Sequence, residues 1–171
     1  MPEKGIYIGG HPLFWDARCA GIYIGFGVGL VCMFLVGRKN RSLPPWPILL
    51  ANTFLFIPMF IDVVSIWMRV RDPSNDLRYL TGILFGGALS IYLYPAFITL
   101  VFPGGQNLSS INSFTRYGLF LLVCAGAFLV KQMDYIIAYV ALSGLSFLGF
   151  GGLIVILLVG LVKGIRGLTR G

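Results

Sequence analysis

An arginine at the mouth of an apolar helix is costly unless it is paired or bound to something, and this chain makes that placement twice. Arg18 stands ahead of Gly21-Ile-Tyr-Ile-Gly25-Phe-Gly-Val-Gly29, and Arg78 stands ahead of Thr81-Gly82-Ile-Leu-Phe-Gly86. Asp62 lies inside the apolar stretch from Phe54 to Met68, with Arg69 seven residues beyond it. A guanidinium fork recognises phosphate or carboxylate, and a carboxylate beside it positions the fork, takes a proton or neutralises an empty site. Arg18, Asp62, Arg69 and Arg78 are therefore the candidate ligand-binding residues. His11, Asp16, Cys19, Tyr23 and Thr81 stand near them in sequence as accessory positions. A metal site from His11, Asp16, Cys19 and Asp62 would use acceptable ligand types, but the spacing matches no recognised metal motif and no metal is expected. The three cysteines, Cys19, Cys32 and Cys124, are an odd number scattered through apolar sequence and read as small hydrophobes.

The elements that must hold these residues are membrane helices. Hydrophobic residues make up 57% of the 171 positions and charged residues 11%, which excludes an ordinary soluble domain. Five spans are expected, at about 20–36, 46–68, 80–102, 115–131 and 138–162, in one all-α polytopic membrane domain. The fourth run is short. It reaches crossing length by borrowing residues from Phe114 and letting Arg116 and Lys131 snorkel, so four spans plus a re-entrant hairpin is the alternative. The first run reads as a span and not as a cleaved leader, because its basic cluster follows the apolar region.

Arg38, Lys39 and Arg41 after the first span, and Lys163, Arg166 and Arg170 at the end, place both segments on the cytoplasmic side of the cell membrane and the amino terminus outside. In that topology all six acids, Glu3, Asp16, Asp62, Asp72, Asp76 and Asp134, fall toward the outer face.

Helical periodicity aims the charges inward. Arg18 shares a face with Gly21, Gly25 and Gly29, and Arg78 shares one with Gly82, Gly86 and Ser90. Such stripes let helix backbones approach closely, so these faces are expected inside the bundle. Pro58 loosens the second span a turn before Asp62, and Arg69 repeats the Asp62 face two turns on. An outer vestibule lined by Arg18, Asp62, Arg69 and Arg78 is the expected result.

The stretch from Gly9 to Gly25, with Asp16-Ala-Arg18-Cys19-Ala-Gly21-Ile-Tyr23 at its centre, resembles a family of small predicted membrane proteins of unknown function whose hallmark is Cys-Ala-Arg-Cys-Thr-Gly-Ile-Tyr. Pro58-Met-Phe-Ile-Asp62 is similar to its Leu-Pro-x-x-x-Asp-Gly block, and Asn75-Asp-Leu-Arg78-Tyr-Leu-Thr81-Gly82-Ile-Leu-Phe-Gly86 to its Asn-x-x-Arg-x-x-Thr-Gly-x-x-x-Gly block. The resemblance covers roughly the first hundred residues and implies a membrane fold without implying an activity or a cofactor. Asp16 replaces the first hallmark cysteine, and the Cys-His-Gln segment that often opens family members is not found ahead of His11, which argues against a redox dithiol here.

Two functions from different classes follow. The first is binding or handling of an anionic lipid or isoprenoid in the outer vestibule, the headgroup on the arginines and the chain along the helices. The alternative is a structural or accessory subunit of a larger membrane complex, with membrane proteins as partners. A hydrolase would need a placed nucleophile, and none is evident. No cofactor and no nucleic-acid partner are expected.

Overall fold

The computed structural model describes residues 5–8, 10–36, 40–70, 72, 74–102, 106–133 and 135–168. Glu3, Arg38, Lys39, Asp134 and Arg170, among the charges that set the expected orientation, lie outside the described residues. The order is β1 (Gly5–Ile8), β2 (His11–Asp16), α1 (Ala17–Val36), β3 (Asn40–Ser42), α2 (Trp46–Phe54), α3 (Ile57–Trp67), α4 (Asn75–Val101), β4 (Gln106–Ser109), α5 (Phe114–Lys131) and α6 (Ile136–Leu168). Taking α2 and α3 together as one broken span, five helical stretches are long and apolar enough to cross a membrane. The molecule is an all-α polytopic bundle, and the fourth run forms a helix of its own instead of half a re-entrant hairpin.

Local chemistry explains the boundaries. Asp16 caps α1, its carboxylate accepting the Arg18 backbone N–H at 2.7 Å. Pro45 and Pro47 start α2, where a missing N–H is least costly. The second span breaks at Leu55 and Phe56 because Pro58 cannot donate to the carbonyl one turn back. Ser113 caps α5 by accepting from the Thr115 N–H at 3.3 Å, and α5 starts at Phe114, as its short apolar run requires.

α1 is the central helix. On one side Gly21, Gly25 and Gly29 lie against α4, which runs parallel to it, at Tyr79, Ile83 and Ser90. The approach is close enough that a Cβ on Gly82 would sit 2.6 Å from the Arg18 carbonyl oxygen. On another side Gly27 meets Leu145 and Gly149 of α6, and Gly149 lies against the Tyr23 carbonyl. This second glycine contact was not anticipated from the sequence. The α5 and α6 surfaces away from α1 are apolar and exposed, as expected for lipid-facing helix walls: Leu122, Leu129, Val140, Leu157 and Leu161 are examples.

Two small sheets were also unanticipated. β1 and β2 form an antiparallel hairpin at the end where α1 and α4 begin, with Ile8 opposite His11 and Gly10 at φ +77° in the turn. Its inner face carries Ile6, Ile8 and Leu13, all buried. At the opposite end β3 and β4 pair in parallel and tie the α1–α2 connection to the α4–α5 connection.

Candidate functional site

Inside the bundle an ion pair joins Arg18 to Asp62. The Arg18 Nη2 donates to Asp62 Oδ2 at 2.7 Å; the Asp62 side chain is 1% exposed and that of Arg18 25%. The pair spans from α1 to α3, so a charge on the central helix is answered by a carboxylate on the broken one. The helix break at Leu55 and Phe56 lies about two turns ahead of Asp62 and sets the direction in which α3 presents it.

Arg78 arrives at the same end from α4. On a helix turning about 100° per residue, position 78 falls between position 81, which lines the Asp62 groove, and position 82, which touches the Arg18 carbonyl. Arg78 is thus on the face between the partners of the ion pair. It is half-buried, and its Nε is shielded from solvent without an acceptor. The Arg18 Nε is likewise buried and without an acceptor among the described residues, its Nη2 being the nitrogen that reaches Asp62. Among the described residues no carboxylate is paired with Arg78, whereas Lys131 at the end of α5 pairs with Asp76 and lies 5.6 Å over the Tyr79 ring.

A groove of about 300 Å³ opens beside Asp62 between α3 and α4, lined by Pro58, Ile61, Asp62, Ser65, Leu77 and Thr81. The Thr81 hydroxyl donates within its own helix, to the Leu77 and Arg78 carbonyls at 2.9 and 3.2 Å, and contributes shape at the wall. Ile61 and Ser65 also line a second apolar depression that continues along α3 past Val64 to Met68. The Asp62 carboxylate is the one charged group in the lining of these two depressions among the described residues, and Arg18 reaches it from α1.

The other sequence candidates are placed differently. Arg69 does not join the group: α3 ends at Trp67, and Arg69 turns out of the helix at φ +56° with an exposed side chain. Helical periodicity had carried it past the point where the helix stops. Asp16 is exposed and occupied in capping α1. His11 sits on β2 with its ring 5.3 Å from that of Tyr139. Tyr23 points to the opposite side of α1, where it meets Trp15 and Phe150 edge-on at 4.9 and 5.1 Å. Cys19 is a half-buried free thiol. No group of three or more His, Cys, Asp or Glu side chains assembles among the described residues.

One buried polar residue escaped the sequence reading. Asn52 on α2 is fully buried, donates to the Ala88 carbonyl of α4 at 3.0 Å and accepts from the Tyr117 hydroxyl of α5 at 3.5 Å. A single amide in an apolar run was the only signal available.

Residues 1–92 match the DUF2085 family, described as "Predicted membrane protein". The chain belongs to that family. The matched segment contains Arg18, Asp62 and Arg78 and ends within α4. An uncharacterized protein of Methanocaldococcus jannaschii is 30% identical over 104 residues, covering 60% of this chain and 64% of that protein. An uncharacterized protein of Methanothermobacter thermautotrophicus is 34% identical over 90 residues, covering 53% of this chain and 78% of that one. The chain thus spans less than two thirds of the length of the first relative. No solved structure matches the chain.

Proposed function

We propose that this membrane protein binds an anionic amphiphile, a lipid or isoprenoid bearing phosphate or carboxylate, with its headgroup on Arg78 and Arg18 and its chain in the furrow along α3. The observation that carries the reading is the half-buried Arg78 guanidinium, whose shielded Nε has no acceptor among the described residues. A buried donor left without a partner costs about 1–3 kcal/mol, and an anionic oxygen removes that cost. Asp62 holds the Arg18 fork through Nη2, and the Arg18 Nε, shielded from solvent, has no acceptor among the described residues. The approach lies at the end where α1 and α4 begin, and the outer leaflet is the one this reading gives it, in keeping with the basic loops expected on the cytoplasmic side.

The test is native mass spectrometry of the full chain released from micelles. The wild type is expected to carry a co-purifying anionic lipid, and Arg78→Leu is expected to lose it while remaining folded. Retention of the lipid by a folded Arg78→Leu protein overturns the reading.

A second reading, a structural or accessory subunit of a membrane complex, is favoured by the Arg18–Asp62 contact, which by itself fixes the register of α1 against α3. It makes the opposite forecast for Arg78→Leu: lower stability with no change in bound lipid.

A further inference from the structure

At the end of the bundle away from the Arg18–Asp62 pair, α1 and α5 diverge and leave an apolar groove of about 460 Å³. Its walls include Met33 on α1 and Leu119, Phe120 and Val123 on α5, and its mouth carries Ser110 and Arg116. The volume lies within the range of small-molecule sites, about 300–1,000 Å³. Arg116 is in the first turn of α5, capped by Ser113, where the helix start already favours an anion. Its side chain is exposed and has no carboxylate partner among the described residues.

The surrounding sequence adds to the positive field. Residues 37–45 and 103–113, the connections that meet at this end through β3 and β4, contain Arg38, Lys39 and Arg41 and no acid.

We infer that this groove is a second lipid site, separate from the one under Proposed function, which holds one acyl chain of an anionic phospholipid with the headgroup phosphate on Arg116. Charge selects the occupant: a zwitterionic lipid brings a choline group toward a groove whose lining, among the described residues, has no carboxylate to receive it. Arg116 lies at the groove mouth with the apolar wall running from it toward the bundle centre, as headgroup and chain require. The site takes a lipid from the leaflet opposite to the one that serves Arg78.

The experiment uses the full chain carrying Arg78→Leu, so that the other site does not contribute, in nanodiscs of equimolar dioleoyl phosphatidylglycerol and dioleoyl phosphatidylcholine. Bound lipid is counted by native mass spectrometry. The Arg78→Leu protein is expected to favour phosphatidylglycerol by about fivefold, the effect of one basic residue near an anionic headgroup. Adding Arg116→Leu is expected to cut that preference severalfold, and Arg116→Lys to preserve it. Val123→Trp, which fills the groove from an exposed position, is expected to reduce the bound count of both lipids. An unchanged preference in the Arg116→Leu protein, or no preference in its Arg78→Leu parent, overturns the inference; an unchanged count in Val123→Trp does so too. The site fails or stands whether or not Arg78 binds lipid.

Discussion

At the residue scale, the account turns on the contrast between two arginines. Arg18 has a buried carboxylate at 2.7 Å and Arg78 has none among the described residues. Removing one partner of a fully buried pair costs about 3–5 kcal/mol, whereas replacing both partners with apolar residues is often neutral. Because the Arg18 side chain is 25% exposed, Arg18→Leu and Asp62→Leu are each expected to destabilise the bundle by less than that amount, and the double substitution by less than the sum. Reversible unfolding in mixed micelles checks this, and additive losses would show that the contact contributes nothing. The sequence supplied the charged residues and the end of the bundle they occupy. It did not supply the pairing, because Arg18, Arg69 and Arg78 all had plausible helical registers. Arg69 was lost to a boundary set by the left-handed turn after Trp67, which periodicity does not register.

At the scale of the elements, the glycine faces decide how closely helices approach. A Cβ on Gly25 or Gly86 would collide with backbone of the neighbouring helix, at Ile83 and Ile22 respectively. Even alanine at either position forces α1 and α4 apart. Gly126 and Gly151 face open space, so alanine there restores helix propensity at no steric cost. Gly25→Ala and Gly86→Ala are expected to lower unfolding stability by about 1–3 kcal/mol, and Gly126→Ala and Gly151→Ala to leave it unchanged or slightly raised. Unfolding curves of the four variants measure the difference; equal effects would mean that α1 and α4 are not in this contact.

The α1–α4 stripe was legible because 21, 25 and 29 repeat at the helical period. The α6 contact was obscured because Gly149 and Gly152, which face α1, are interleaved with outward-facing Gly151. The hairpin was invisible for a different reason. Its buried Ile6 and Ile8 flank exposed Tyr7, and buried Leu13 precedes exposed Phe14, so apolar residues occupy both faces and the alternation that marks a strand disappears.

At the scale of the whole molecule, the acidic and pair-forming positions gather at one end and the acid-free basic connections at the other. Arg18, Asp62, Asp76, Arg78 and Lys131 share the end where α1 and α4 begin. We propose that this end lies outside, because the acid-free basic connections mark the other end as cytoplasmic. In a chain whose three cysteines are replaced by alanine, Ser74→Cys is expected to react with a membrane-impermeant maleimide in intact cells, and Asn112→Cys only after permeabilisation. Both positions are exposed and at opposite ends of the bundle. The reverse pattern would invert the topology and exchange the leaflets assigned to the two lipid sites.

The claim that an anionic headgroup completes the Arg78 site is tested most directly by unfolding the full chain in micelles across a series of dihexanoyl phosphatidic acid concentrations, with dihexanoyl phosphatidylcholine as the control. A ligand that binds only the folded state adds stability that grows with its concentration, about 2.7 kcal/mol at a hundred times its dissociation constant. The account predicts that phosphatidic acid stabilises the wild type and Arg78→Lys in this way, and that Arg78→Leu responds no more to it than to phosphatidylcholine. Equal stabilisation of the wild type and Arg78→Leu by phosphatidic acid would contradict it.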